Sequence, residues 1–120
     1  MDNLRRLIAF VCGCYVNKTL NNNQYVPTRI FDYETNEYIP MNIQFNDYGF
    51  NLYDYGRCSY ANGNGNYIYD FETRQTVCCT YNNICFNVFV ADKSFQGVVN
   101  GFNVSITDFD SKKYFNYKLS

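Results

Sequence analysis

One ten-residue pattern occurs three times in this chain, at an even interval. It reads IFDYETNEYI from Ile30 to Ile39, IYDFETRQTV from Ile68 to Val77 and ITDFDSKKYF from Ile106 to Phe115, each copy beginning 38 residues after the one before. Ile, Asp, Glu and Thr are identical between the first two copies, and Phe31/Tyr69 and Tyr33/Phe71 exchange one aromatic for another. The third keeps Ile106, Asp108 and Phe109. Self-similarity at a fixed period marks a repeated supersecondary unit, and a third copy in step makes coincidence a poor account of the first two.

A weaker register runs alongside. The stretches IAFVCGCYV (8–16), YGFNLYDYG (48–56) and ICFNVFVAD (84–92) align on Phe10, Phe50 and Phe86. Together the two registers divide a single 1–120 domain into units of about 1–41, 42–79 and 80–120. Each unit holds about four short strand-like runs broken by turn residues, the spacing of a barrel or sandwich. Composition agrees, since 13 Tyr and 11 Phe stand beside few Leu or Ala, and aromatic side chains suit a pleated, half-buried surface. The expected fold is all-β. Three four-stranded units around a pseudo-threefold axis resemble a β-trefoil. Three propeller-type blades are an alternative, requiring a dimer to close the ring, and a lipocalin-like single barrel is another. Residues 2–11 have a helical alternative capped by Asp2, because Leu4, Leu7, Ile8 and Val11 fall on one helical face.

Charge narrows the function. Ten basic residues nearly cancel eleven acidic ones, for a net charge of −1, and the cations are dispersed apart from Arg5-Arg6 and Lys112-Lys113. Nucleic-acid binding draws on a clustered cationic face, so no nucleic-acid partner is expected. No apolar run approaches the ~18 residues of a membrane-spanning helix, so no membrane role is expected either. Arg5-Arg6 before LIAFVCGCYV resembles a short signal peptide without a small-x-small cleavage site. Secretion is the minority reading and a cytoplasmic location the expected one, in host cytoplasm or virion if the chain is viral.

The chain contains no His, which removes the commonest general base and the usual activator of a Ser or Cys nucleophile. No phosphate loop, nucleophile elbow or dinucleotide fingerprint is present. The reading is therefore non-enzymatic, with no cofactor. Cys12, Cys14, Cys58, Cys78, Cys79 and Cys85 show no CxxC and no His partner, so no metal site is expected. They read as reduced, largely buried thiols, with Cys58, in a loop register, as the candidate exposed thiol. The acid pairs Asp32/Glu34, Asp70/Glu72 and Asp108/Asp110 recur with the fold and read as turn caps.

What remains is a surface. Tyr53, Tyr55, Tyr60, Tyr67 and Tyr69 flank a loop carrying Asn62, Asn64 and Asn66. Tyr supplies a rigid amphipathic ring and Asn an adaptable donor and acceptor, a pairing typical of recognition surfaces. The expected function is a small protein-interaction module, of the kind a viral or mobile-element accessory or inhibitor protein would be, engaging a protein partner through this face. A carbohydrate-binding module, with glycan stacked on the same rings, is the first alternative. An assembly or virion subunit, homo-oligomeric if propeller-like, is the second. The Q-x-W signature of sugar-binding trefoils is missing, since the chain has no Trp.

Overall fold

A computed structural model describes residues 2–20, 22 and 24–120, the side chain of Asp2 excepted. The cap expected from Asp2 therefore lies outside the described residues. Helix α1 spans Asp2–Thr19. Ten strands follow: β1 (Arg29–Asp32), β2 (Glu37–Phe45), β3 (Phe50–Asp54), β4 (Ser59–Gly63), β5 (Tyr67–Asp70), β6 (Gln75–Asn82), β7 (Cys85–Val90), β8 (Lys93–Asn100), β9 (Asn103–Asp108) and β10 (Lys113–Leu119). Each pairs antiparallel with its neighbour in sequence, and β10 returns to β1, with Ile30 opposite Leu119, to close the barrel.

The architecture is nearly all-β, and its strand order is an up-and-down meander. The trefoil and blade expectations are corrected here. A trefoil sets part of each unit aside as hairpins capping the barrel, and blades keep separate sheets, whereas all ten strands share one continuous ladder. Of the three architectures considered, the single barrel matches. The unit limits also shift, because 41/42 falls inside β2 and 79/80 inside β6.

The weaker register fails at its first stretch for a physical reason. IAFVCGCYV is not a strand but the middle of α1, and α1 fills the barrel. Leu4, Leu7, Ile8, Phe10, Val11 and Val16 are all buried, as are Ala9, Cys12 and Cys14 between them. A helix apolar on every side is stable only when surrounded. The strands supply the enclosure through alternation, with Ile39, Met41 and Ile43 of β2 turned inward and Tyr38, Pro40 and Asn42 outward. Gly13 sits where the wall leaves no room for a side chain, since a Cβ there would stand 2.9 Å from Val104 Cγ2 and closer still to Leu119 Cδ1.

Polar groups fix the helix at both ends. Arg6 Nη2 meets Asp32 Oδ2 at 3.0 Å, with both side chains buried. Arg5 Nε donates to the Tyr117 hydroxyl at 2.9 Å, and its guanidinium lies 3.3 Å from the Phe115 ring centroid. At the other end Asn17 Nδ2 donates to the carbonyls of Gly13 and Gly101, at 2.9 and 2.7 Å.

The 38-residue interval now has an explanation. Asp32, Asp54, Asp70 and Asp108 each end a strand on the inner face, and the residue four places on adopts a left-handed φ: Asn36 59°, Cys58 52°, Arg74 57° and Lys112 58°. Asp32, Asp54 and Asp108 each accept the N–H two residues along, at 2.9, 3.0 and 2.9 Å. This is an Asx turn, a local bond by which Asp starts a tight reversal. The unit is thus one hairpin. Asp54 stands 22 residues after Asp32 and 16 before Asp70, so unequal hairpins combine in pairs to an equal interval.

Candidate functional site

The outer surface of β2, β3 and β4 carries two parallel rows of side chains. Cross-strand register places Asn42 beside Tyr53 and Tyr53 beside Tyr60. One step along the strands, Gln44 lies beside Asn51, Asn51 beside Asn62, and Asn62 beside Tyr69. A row of phenols therefore abuts a row of amides. The inward neighbours Ile43, Leu52 and Ala61 are buried, so core packing holds the backbone beneath both rows.

A groove of about 460 Å³ runs over this face, lined by Asn42, Gln44, Asn51, Leu52, Tyr53, Tyr55, Cys58 and Tyr60. A second hollow, of about 420 Å³, shares Asn51, Cys58 and Tyr60 with it and extends to Asn62 and Phe71. None of these lining residues carries a formal charge. The nearest cation in sequence, Arg57, has its guanidinium buried and bound to Asp54 and Asp70.

The rings hold one another. Tyr53 packs edge-to-face against Tyr55, centroids 4.8 Å apart at 78°, and against Tyr60, 4.7 Å apart at 68°. Such pairs add roughly 0.5–1.5 kcal/mol beyond area burial. Tyr60 remains 62% and Tyr55 52% exposed, so both rings are positioned yet open to water. The Tyr53 phenol is held above its ordinary value, first because water is displaced from it and then by the Cys58 thiol.

The same triad appears one hairpin away. Phe31 packs against Tyr33 at 4.9 Å and against Tyr38 at 4.7 Å, and Arg29 lies over the Tyr38 ring at 4.0 Å. Tyr69 and Phe71 repeat half of the arrangement at 4.9 Å. The aromatic–Asp–aromatic tripeptide thus turns Asp into the barrel and both rings outward, hairpin after hairpin.

The residues expected from the sequence divide between two places. Tyr53, Tyr55, Tyr60, Asn62 and Tyr69 share the groove face, and Cys58 is exposed at its margin. Tyr67 faces outward beside Cys78, further along β5. Asn64 and Asn66 lie in the β4–β5 turn at the opposite rim, where the Asn66 N–H donates to Asn64 Oδ1 at 2.7 Å. Asn42, Gln44 and Asn51 were missed by sequence reasoning. Their signal was alternation in Met41-Asn42-Ile43-Gln44 and Asn51-Leu52-Tyr53, which turns every second side chain away from the core.

Among the described residues no three His, Cys, Asp or Glu side chains gather as metal ligands do. No described buried side-chain nitrogen or oxygen lacks a hydrogen-bond partner. Comparison with known proteins finds no match to the chain among family models, curated proteins or solved structures.

Proposed function

We propose that this protein is a non-enzymatic interaction module that holds a protein partner against the outer face of β2–β5. One observation carries the reading: an uncharged groove in which pre-packed, exposed phenols stand beside a row of amides. Tyr contributes large contact area at low conformational cost, and amides adapt their hydrogen bonds to the partner. Among the described residues the closed ladder leaves no strand edge free, so an extended peptide has no place there to add as an extra strand. Side chains must therefore do the recognising.

The test is capture of a partner by the tagged protein, compared with Tyr60→Ala and with Tyr114→Ala as control. Tyr114 is 75% exposed on β10, outside the groove. The reading predicts loss of capture with Tyr60→Ala alone, thermal unfolding being unchanged in both variants. Equal capture by all three proteins refutes it.

A further inference from the structure

We infer that the groove takes a neutral oligosaccharide, with one sugar ring laid on Tyr60 and hydroxyls along the chain bridged to the amides of Asn51, Gln44 and Asn42. This rests on the proposed interaction role and specifies which part of the partner the groove holds. The sugar is a glycan carried by the partner protein or a free polysaccharide.

The lining selects by charge. Phosphorylated or acidic segments are bound through arginine clusters and charge-assisted hydrogen bonds, and this groove offers neither. Each amide both donates and accepts. A sugar hydroxyl does the same, so an amide row matches a polyol at every position. A peptide backbone donates and accepts from fixed N–H and C=O groups, whereas each hydroxyl can rotate to do either.

The aromatic side completes the fit. Sugar rings carry apolar C–H faces between polar rims, and an exposed phenol ring with an amide row beside it presents the complement. Tyr60 is fixed edge-to-face by Tyr53, 4.7 Å away, so little side-chain freedom is lost when a ring settles on it. At about 460 Å³ the groove falls within the size of small-ligand sites.

The experiment is a glycan array of neutral, sialylated and sulfated oligosaccharides, followed by calorimetry with the best neutral hit. Affinity is expected to fall at least about tenfold with Tyr60→Ala and with Asn51→Ala, and to survive Tyr60→Phe, which keeps the ring; tenfold corresponds to ~1.4 kcal/mol. Thermal unfolding of each variant verifies the fold. Ligand should also slow alkylation of Cys58 at the groove margin but not of Cys78, which lies outside it on β6. Binding confined to charged glycans, absence of any glycan signal, or a neutral hit indifferent to Tyr60→Ala overturns the inference.

The outcomes separate it from the broader role. Partner capture that depends on Tyr60 yet survives enzymatic removal of the partner's glycans leaves the interaction role standing and overturns the saccharide. Groove-dependent glycan binding with no protein captured supports the saccharide, identifies a free polysaccharide as its source and removes the protein partner.

Discussion

Arg57 grips both carboxylate oxygens of Asp70, Nη1 on Oδ2 and Nη2 on Oδ1, each at 2.9 Å. The same guanidinium reaches Asp54 Oδ2 through Nε, also at 2.9 Å. One cation thus joins the turn of the β3–β4 hairpin to the turn of β5–β6. Burial works to lower the Arg57 pKa, but the bonds to Asp70 and Asp54 outweigh it and raise it. The groove face borders both turns, at Tyr55 and Cys58 of one and Phe71 of the other, so this clamp fixes their relative position from inside the wall.

Removing one partner of the clamp leaves buried charge uncompensated. Arg57→Ala is expected to cost about 3–5 kcal/mol. Arg57→Lys should recover little, because an ammonium cannot match the planar fork. Urea unfolding measures this as a lower midpoint at unchanged slope. A loss of unfolding free energy below about 1 kcal/mol would contradict the clamp.

Gly97 on β8 lies directly opposite Phe86 on β7, and the Phe86 ring occupies the place a Cβ at residue 97 would need. Gly97→Ala should therefore destabilise by about 1–3 kcal/mol through overpacking. Phe86→Leu alone should also destabilise, and the double variant should lose less than the two single losses combined, because each change relieves the other. Additive losses in a double-mutant cycle refute the ring-over-glycine packing.

Alkali should unfold the barrel. Burial raises the Tyr15 and Tyr117 phenols from 10.0 to about 12. It also lifts Tyr81, Cys12 and Cys14 well above their ordinary values. The unfolded chain releases these protons first, so their contribution to stability is intact below the unfolded values of 9.0 for thiols and 10.0 for phenols and declines as pH rises toward 12. Thermal unfolding between pH 8 and 11.5 should show a falling midpoint. Absorbance at 295 nm should show the phenols of Tyr15, Tyr81 and Tyr117 ionising only as the fold is lost.

Thiol chemistry should sort the cysteines by place. Cys58 and Cys78 are exposed, Cys85 is half-buried, and Cys12, Cys14 and Cys79 are buried. Iodoacetamide on the native protein should modify Cys58 and Cys78 quickly and Cys85 slowly. The other three should react only in denaturant. Mass mapping of the alkylated peptides checks this, and rapid native labelling of Cys12 would place α1 outside the barrel.

The hairpins were readable because their chemistry is local. An Asp that starts a turn, followed four places later by a left-handed residue, leaves the same trace wherever a hairpin needs it. The equal interval misled because Leu52-Tyr53-Asp54-Tyr55 matches the motif from a different register, and because Val90 takes the inward place where the other hairpins carry Asp. The helix was harder to read. Val, Ile, Phe and Cys at 8–16 fit a buried strand as well as an enclosed helix, since a helix buried on every side loses its periodic signature. Arg5 and Arg6 read as a local cationic pair resembling the head of a signal peptide, whereas Asp32, Glu34 and Tyr117, far away in sequence, bring them inside. Half of the groove was equally hidden, because Asn42, Gln44 and Asn51 become neighbours of Tyr53 and Tyr60 only through strand register.

The wall is sealed by its two ends, with Ile30 meeting Leu119 across the seam. Every strand is made after the helix it must surround, and the seam waits for the last of them. During synthesis the greasy rod therefore has no permanent shelter until translation passes residue 119. Long-range closures of this kind are slow, so truncation within β10 should leave a sticky, chaperone-dependent chain rather than a smaller barrel.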